Sequence, residues 1–192
     1  MKQWLLMSRM WVSEPKGLIT QGTIVDGVDW GRGENNPLSI VISNACDLEH
    51  GNSNFLLVAA LESATDVLQH TDEFNGLVKD ATGNELSKKQ WRSLGNFLLN
   101  YIHNKNVCRH YFFDPRPIID MDCFVVDFQQ IKSIEMDRVS DLSIEGQLEH
   151  PFVEQMMMRF TSYTSRIPVD RVDADMENIY IHELAKGYKC KE

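Results

Sequence analysis

Cysteine is scarce in this 192-residue chain. The four thiols, at positions 46, 108, 123 and 190, are irregularly spaced and form no C-x-x-C pair. That excludes a disulfide framework and points to a cytoplasmic protein with reduced thiols. Long apolar runs are missing too. No stretch approaches the roughly 20 residues of a membrane span, so no membrane partner is expected. The opening MKQWLLMSRMW has only a short apolar run, with neither a long h-region nor a small-residue cleavage site. Positive charge is in deficit: 19 Lys and Arg stand against 28 Asp and Glu, a net charge of −9. Duplex DNA binding needs a basic stripe to neutralise phosphates, and none is visible. A local basic cleft remains compatible with that total, because net charge does not report distribution. Internal repeats and low-complexity segments are absent as well.

What is present is ordinary globular material, 43% apolar and 24% charged. It is enough for one domain with a core of its own. The first third alternates strands with turns. Residues 23–26 follow Gly22 as a short strand, and residues 27–37 form a polar, glycine-rich loop. Residues 38–43 (LSIVIS) are β-branched and read as a central strand. Residues 44–54 read as a second polar loop, and residues 55–61 (FLLVAAL) as a buried strand.

Ser87 and Gln90 have the spacing of a capping box. Behind them Trp91, Leu94, Phe97, Leu98, Tyr101 and Ile102 fall on one helical face. Residues 64–84 read as a short helix and a loop. Strands are expected at 109–113 and 122–128, with 131–134 pairing back onto the latter across a tight connection. Pro151 opens a further helix whose stripe is Phe152, Met156, Phe160 and Tyr163. A last helix is expected over 175–188, with Ile179 and Leu184 inward. The domain divides into a barrel core, about 20–62 and 108–135, and helical additions, about 63–104 and 150–188.

Residues 22–62 resemble the core of the MazF/PemK toxin endoribonucleases, which are SH3-like β-barrels. The matching text is Gly22-Thr23-Ile24-Val25, Asn36-Pro37-Leu38-Ser39-Ile40-Val41-Ile42, Ser43-Asn44, Gly51-Asn52 and Leu56-Leu57-Val58-Ala59-Ala60-Leu61. In that family an arginine before the proline and a threonine closing the later strand carry RNA cleavage. Asn36 and Glu62 stand at those positions here. Attack by a 2′-hydroxyl needs a base and a cation or donor for the phosphate. Asparagine supplies no charge, and glutamate repels phosphate while still being able to act as a base. Arg32 replaces the lost cation if its loop folds back.

A second resemblance covers most of the chain. Ser43-Asn44-Ala45-Cys46-Asp47-Leu48 is similar to a Ser-x-x-Cys-Asp signature in a bacterial family that also has counterparts of Arg109-His110-Tyr111-Phe112, Val126-Asp127-Phe128 and Arg166-Ile167-Pro168. It implies no activity.

Other constellations have plain and sharp readings. Cys46 is a nucleophile with Asp47 and His50, a metal ligand with His50, Cys108 and His110, or a small packed thiol. The preferred reading is structural: Asp47 accepts backbone N–H groups in its own loop while Cys46 packs inward. Asp26, Asp29, Asp47, Glu49 and Glu62 are an Mg²⁺ cluster or solvated loop carboxylates. Met156-Met157-Met158 is adaptable core or a docking surface. His182-Glu183 lacks the second histidine of a zincin, and Gly31-x-Gly33 precedes no helix pattern.

The expectation is an α+β fold, an SH3-like barrel decorated with helices. Catalytic candidates are Arg32, Glu62 and Asp47, and binding candidates are Asn36, Asn44, Cys46 and Arg109. No metal and no cofactor is expected. The expected function is an intracellular interaction or regulatory module of a bacterial toxin-like or phage-defence system, with a protein partner. The alternative is a MazF/PemK-type endoribonuclease with a relocated active site, acting on RNA.

Overall fold

A computed structural model of the chain describes residues 17–79, 85–105, 109–113 and 123–165. Its six strands are β1 (Thr23–Asp26), β2 (Ser39–Val41), β3 (Phe55–Ser63), β4 (His110–Phe113), β5 (Phe124–Glu135) and β6 (Ser143–Gln147). They form one curled antiparallel sheet, a half-barrel, in the order β4-β5-β3-β2-β1-β6. The three strands expected in the first third therefore pair side by side. Ile24 lies opposite Ile40, and Ile40 opposite Ala59.

The period of two sorts the apolar residues onto opposite faces. Ile24, Ile40, Ala59, Leu61, Val126 and Phe128 line one face. Helix α5 (Phe152–Thr164) covers it, contributing Val153 and the fully buried Met156. Val25, Val41, Leu56 and Val58 line the other face, under Leu48, Val139 and Leu142. Further along that second face, Val125 packs with Ala64 and Tyr101. These come from α2 (Ala64–Gln69) and α4 (Lys88–Ile102). Each fully buried Val, Leu, Ile, Phe or Met among these contributes roughly 1.5–3 kcal/mol.

Several expectations need correction. Residues 44–54 are not all loop: α1 (Ala45–Glu49) follows β2, with Asn44 as its N-cap accepting from the Cys46 N–H at 2.9 Å. Residues 64–79 hold two helices, α2 and α3 (Asp72–Val78), each capped by a hydroxyl, from Ser63 and Thr71. Residues 131–134 do not pair back on 122–128. They continue the same strand, so β5 runs for twelve residues beside β3. Where a tight connection was expected, polar Gln129-Gln130 form an excursion in one strand: Ala59 pairs with Ile131 but Ala60 with Asp127. β6, outside the expected barrel segments, pairs with β1. The capping box of Ser87 and Gln90 is present, but the helical face behind it is only half buried. Leu94 and Tyr101 are covered, whereas Trp91 and Ile102 face water. Of the methionine triplet only Met156 is buried, while Met158 is exposed. The helix expected at 175–188, with His182-Glu183, lies outside the described residues, as does Arg166-Ile167-Pro168.

Candidate functional site

The site sits on the sheet face opposite α5. Period-two alternation sends His110 and Asp127, which are opposite each other, to that face, and Glu62 with them. The excursion after Asp127 brings Gln130 alongside. The loop after β1 delivers Arg32, and the loop's shape depends on Asn36. The Asn36 side-chain oxygen accepts the backbone N–H of Trp30 at 2.9 Å and of Arg32 at 3.1 Å. The loop thus folds back and sets Arg32 beside Glu62. Helix α2 forms the facing wall through Asp66 and His70. The result is a cleft of about 340 Å³.

Its polar groups are tied into one network. Arg32 Nη2 donates to Glu62 Oε1 at 2.9 Å and also to the Gln130 side-chain oxygen. Gln130 Nε2 donates to Glu62 Oε1 at 2.8 Å and to Asp127 Oδ2 at 3.1 Å. Arg109 grips Asp127 with both prongs of its fork, Nε at 2.9 Å and Nη2 at 2.7 Å. Asp127 also accepts the Gln129 backbone N–H at 3.0 Å. The carboxylate is almost entirely buried. Burial alone would raise its pKa, but the Arg109 fork and the two amide donors outweigh that and bring it down to about 2. The Arg109 pKa is raised, first by its hydrogen bond to Asp127.

His110 stands beside the same carboxylate, Nε2 to Oδ1 being 3.9 Å. Burial lowers its pKa against the pull of Asp127, which favours the neutral ring. Among the described residues its Nε2 is buried without a hydrogen-bond partner, as is the Tyr101 hydroxyl. Burial, then the charge of Asp127, pushes the Tyr101 pKa up to about 12.

Neither a family model nor a curated protein matches this chain. The cleft's chemistry must therefore be argued from the groups it holds.

Arg32, Glu62, Asn36 and Arg109, four of the sequence candidates, meet here or shape the cleft. Asn44, Cys46 and Asp47 do not. β2 runs antiparallel to β3 with Val41 opposite Val58, and the chain leaves it beside Leu57. Leu57 is five residues from Glu62, roughly 17 Å at the rise of a strand. Cys46 and Asp47 are exposed there, on α1. The reading of Cys46 packed inward and Asp47 as a local acceptor is thus wrong: Asn44 does the accepting. A short helix formed where a loop was expected, and it turned both side chains outward.

The metal readings are tested only among the described residues. Cys108 lies outside the described residues, and Cys46 and His50 are at the other end of β3 from His110. Among the described residues no group of three His, Cys, Asp or Glu side chains could hold a metal ion. Among them, too, no helix is long and apolar enough to cross a membrane.

Asp127, Gln130 and His70 were missed as site residues. Asp127 carried a signal: it is a single charge inside the apolar text Phe124-Val125-Val126-Asp127-Phe128, and a buried charge demands a partner. Gln130 carried none, because only the β5 excursion places it.

Proposed function

We propose that this chain is an interaction or regulatory module of a bacterial toxin-like or phage-defence system, working inside the cell with a protein partner. In this reading the half-barrel derives from a MazF/PemK-like, SH3-like barrel whose cleavage residues have been redirected. The observation that carries it is how Asn36 and Glu62 use their polar atoms. Asn36 is occupied in holding the Arg32 loop. Glu62 is occupied by Arg32 and Gln130. Arg109 is likewise compensated by Asp127. A cleft whose cations already hold carboxylates has little field left for a phosphodiester.

A second reading, an endoribonuclease with a relocated site, rests on one observation: Arg32, Glu62, Arg109 and His110 line one cleft. Glu62 would take the 2′-hydroxyl proton and Arg32 would face the phosphate, once their ion pair opened. Incubation of single-stranded RNA with the purified protein in chelator separates the two. No cleavage is expected. Turnover that both Glu62→Gln and Arg32→Ala abolish would replace the first reading with the second.

A further inference from the structure

β5 outlasts its neighbour. β4 pairs with it only over Phe124 to Asp127, whereas the ladder with β3 runs on to Glu135. Among the described residues, nothing pairs with that side of β5 from Ile131 onward, which makes it a sheet edge. The direction of its amides follows from β3. Leu57 turns its carbonyl toward β2, where it accepts from Ile42 at 2.9 Å, and its N–H bonds the Ser43 hydroxyl. The Phe55 N–H donates to the Ser53 hydroxyl, and the Phe55 C=O accepts from it. Leu56 and Val58 therefore face β5, opposite Ile134 and Lys132. In an antiparallel ladder the alternate residues point away. Ile131, Ser133 and Glu135 thus present their N–H and C=O groups outward, and no described residue bonds to them.

Among the described residues, one sheet face at this edge is only partly covered as well. Phe55, Leu57 and Ile131 are 48%, 41% and 40% exposed. Period two puts Phe55 and Leu57 on one face, and Ile131 sits diagonally across from Leu57. Natural edges are usually blunted by proline, an inward lysine or a cover. This one has no proline, and its lysine, Lys132, is on the opposite face with Nζ bonded to the Asp29 carbonyl.

We propose that this edge pairs with the same edge of a second copy of the chain, about a two-fold axis at Ser133. The text Ile131-Lys132-Ser133-Ile134-Glu135 is self-complementary in that register. Ser133 meets Ser133, Ile131 meets Glu135, and Lys132 meets Ile134, so no like charges stand directly opposite. The outward amides of both copies coincide, giving about six main-chain hydrogen bonds. The two exposed apolar triads join into one strip on a single face, as an isologous contact requires. The small serine at the axis lets the strands approach without a side-chain clash. This contact is independent of the cleft and of what the cleft binds.

Sedimentation of the full chain over a range of concentrations tests it. The wild type should move from the 22.1 kDa monomer toward twice that mass. Ser133→Lys and Ser133→Glu each set like charges opposite one another and should weaken the dimer about tenfold or more. An equimolar mixture of those two variants should restore it, because lysine then faces glutamate. Leu57→Glu, on the partly covered face, should weaken it too and no mixture with itself rescues it. A wild type that stays monomeric up to about 1 mM, where binding is worth only about 4 kcal/mol, overturns the proposal. So does a dimer indifferent to both Ser133 variants, or a mixture that fails to recover.

Discussion

At the scale of single residues, Asp127 shows how one charge organises its surroundings. A carboxylate inside an apolar strand is costly unless paired and hydrogen-bonded. The guanidinium fork of Arg109 and the amides of Gln129 and Gln130 meet that demand. The lowered pKa makes the arrangement testable. In the folded state Asp127 ionises near 2, against 3.8 ordinarily, so its contribution is full above pH 3.8 and fades as pH falls through about 2. Asp127→Asn should therefore cost about 2 kcal/mol near neutrality. Denaturation curves of the two proteins should converge as pH is lowered from about 4 toward 2. A difference that stays constant over that window would mean the stabilisation does not come from the ionised form.

At the scale of elements, short helices are decided by their caps. α1 has five residues, too few to hold itself together by propensity. It is held by Asn44, which accepts the Cys46 N–H, and by Leu48, which packs against the second core. Asn44→Ala should lower stability by about 1 kcal/mol, measured as a shift in urea midpoint at constant slope. Asp47→Ala, on the exposed side of the same helix, should stay within about 0.5 kcal/mol of wild type. The opposite order would return the structural role to Asp47. The capping box of α4 was legible because its chemistry is local: four residues of sequence contain both partners. The exposure of Trp91 was not, because periodicity marks an apolar stripe without saying how much of it a neighbour reaches.

At the scale of the molecule, the described half-barrel is held at one side by α5. Its Met156 and Val153 enter the first core, the Tyr111 hydroxyl donates to the Phe152 carbonyl at 3.4 Å, and Arg159 Nε donates to the His110 carbonyl at 2.5 Å. The helix thus connects β4 with the β1 side of the sheet. The approach to β1 depends on Gly22. It adopts φ +84°, and a Cβ there would meet Val153 Cγ2 at 2.7 Å. Its amide still donates to Val41 and its carbonyl accepts from Leu148, at 2.9 and 3.0 Å. Gly22→Ala should therefore cost at least about 1 kcal/mol from the left-handed backbone alone, with the clash added. A thermal melt unchanged by the substitution would show that α5 can withdraw without loss.

The residues by themselves determined the local structure: the short strands of the first third, the Ser87 capping box, the stripe of α5 and the single charge in the apolar first half of β5. Each is set by neighbours a few positions away, through backbone sterics, hydrogen-bond reach and side-chain period. The tertiary structure alone decided which groups meet. Arg32 and Glu62 lie thirty positions apart in the chain, and Arg109 and Asp127 eighteen. Their convergence depends on the register of β3, β4 and β5 and on an excursion that no local pattern marks. Register is a long-range choice, selected by which faces can be buried together. It gathered four candidates at one cleft and left Asn44, Cys46 and Asp47 at the far end of β3.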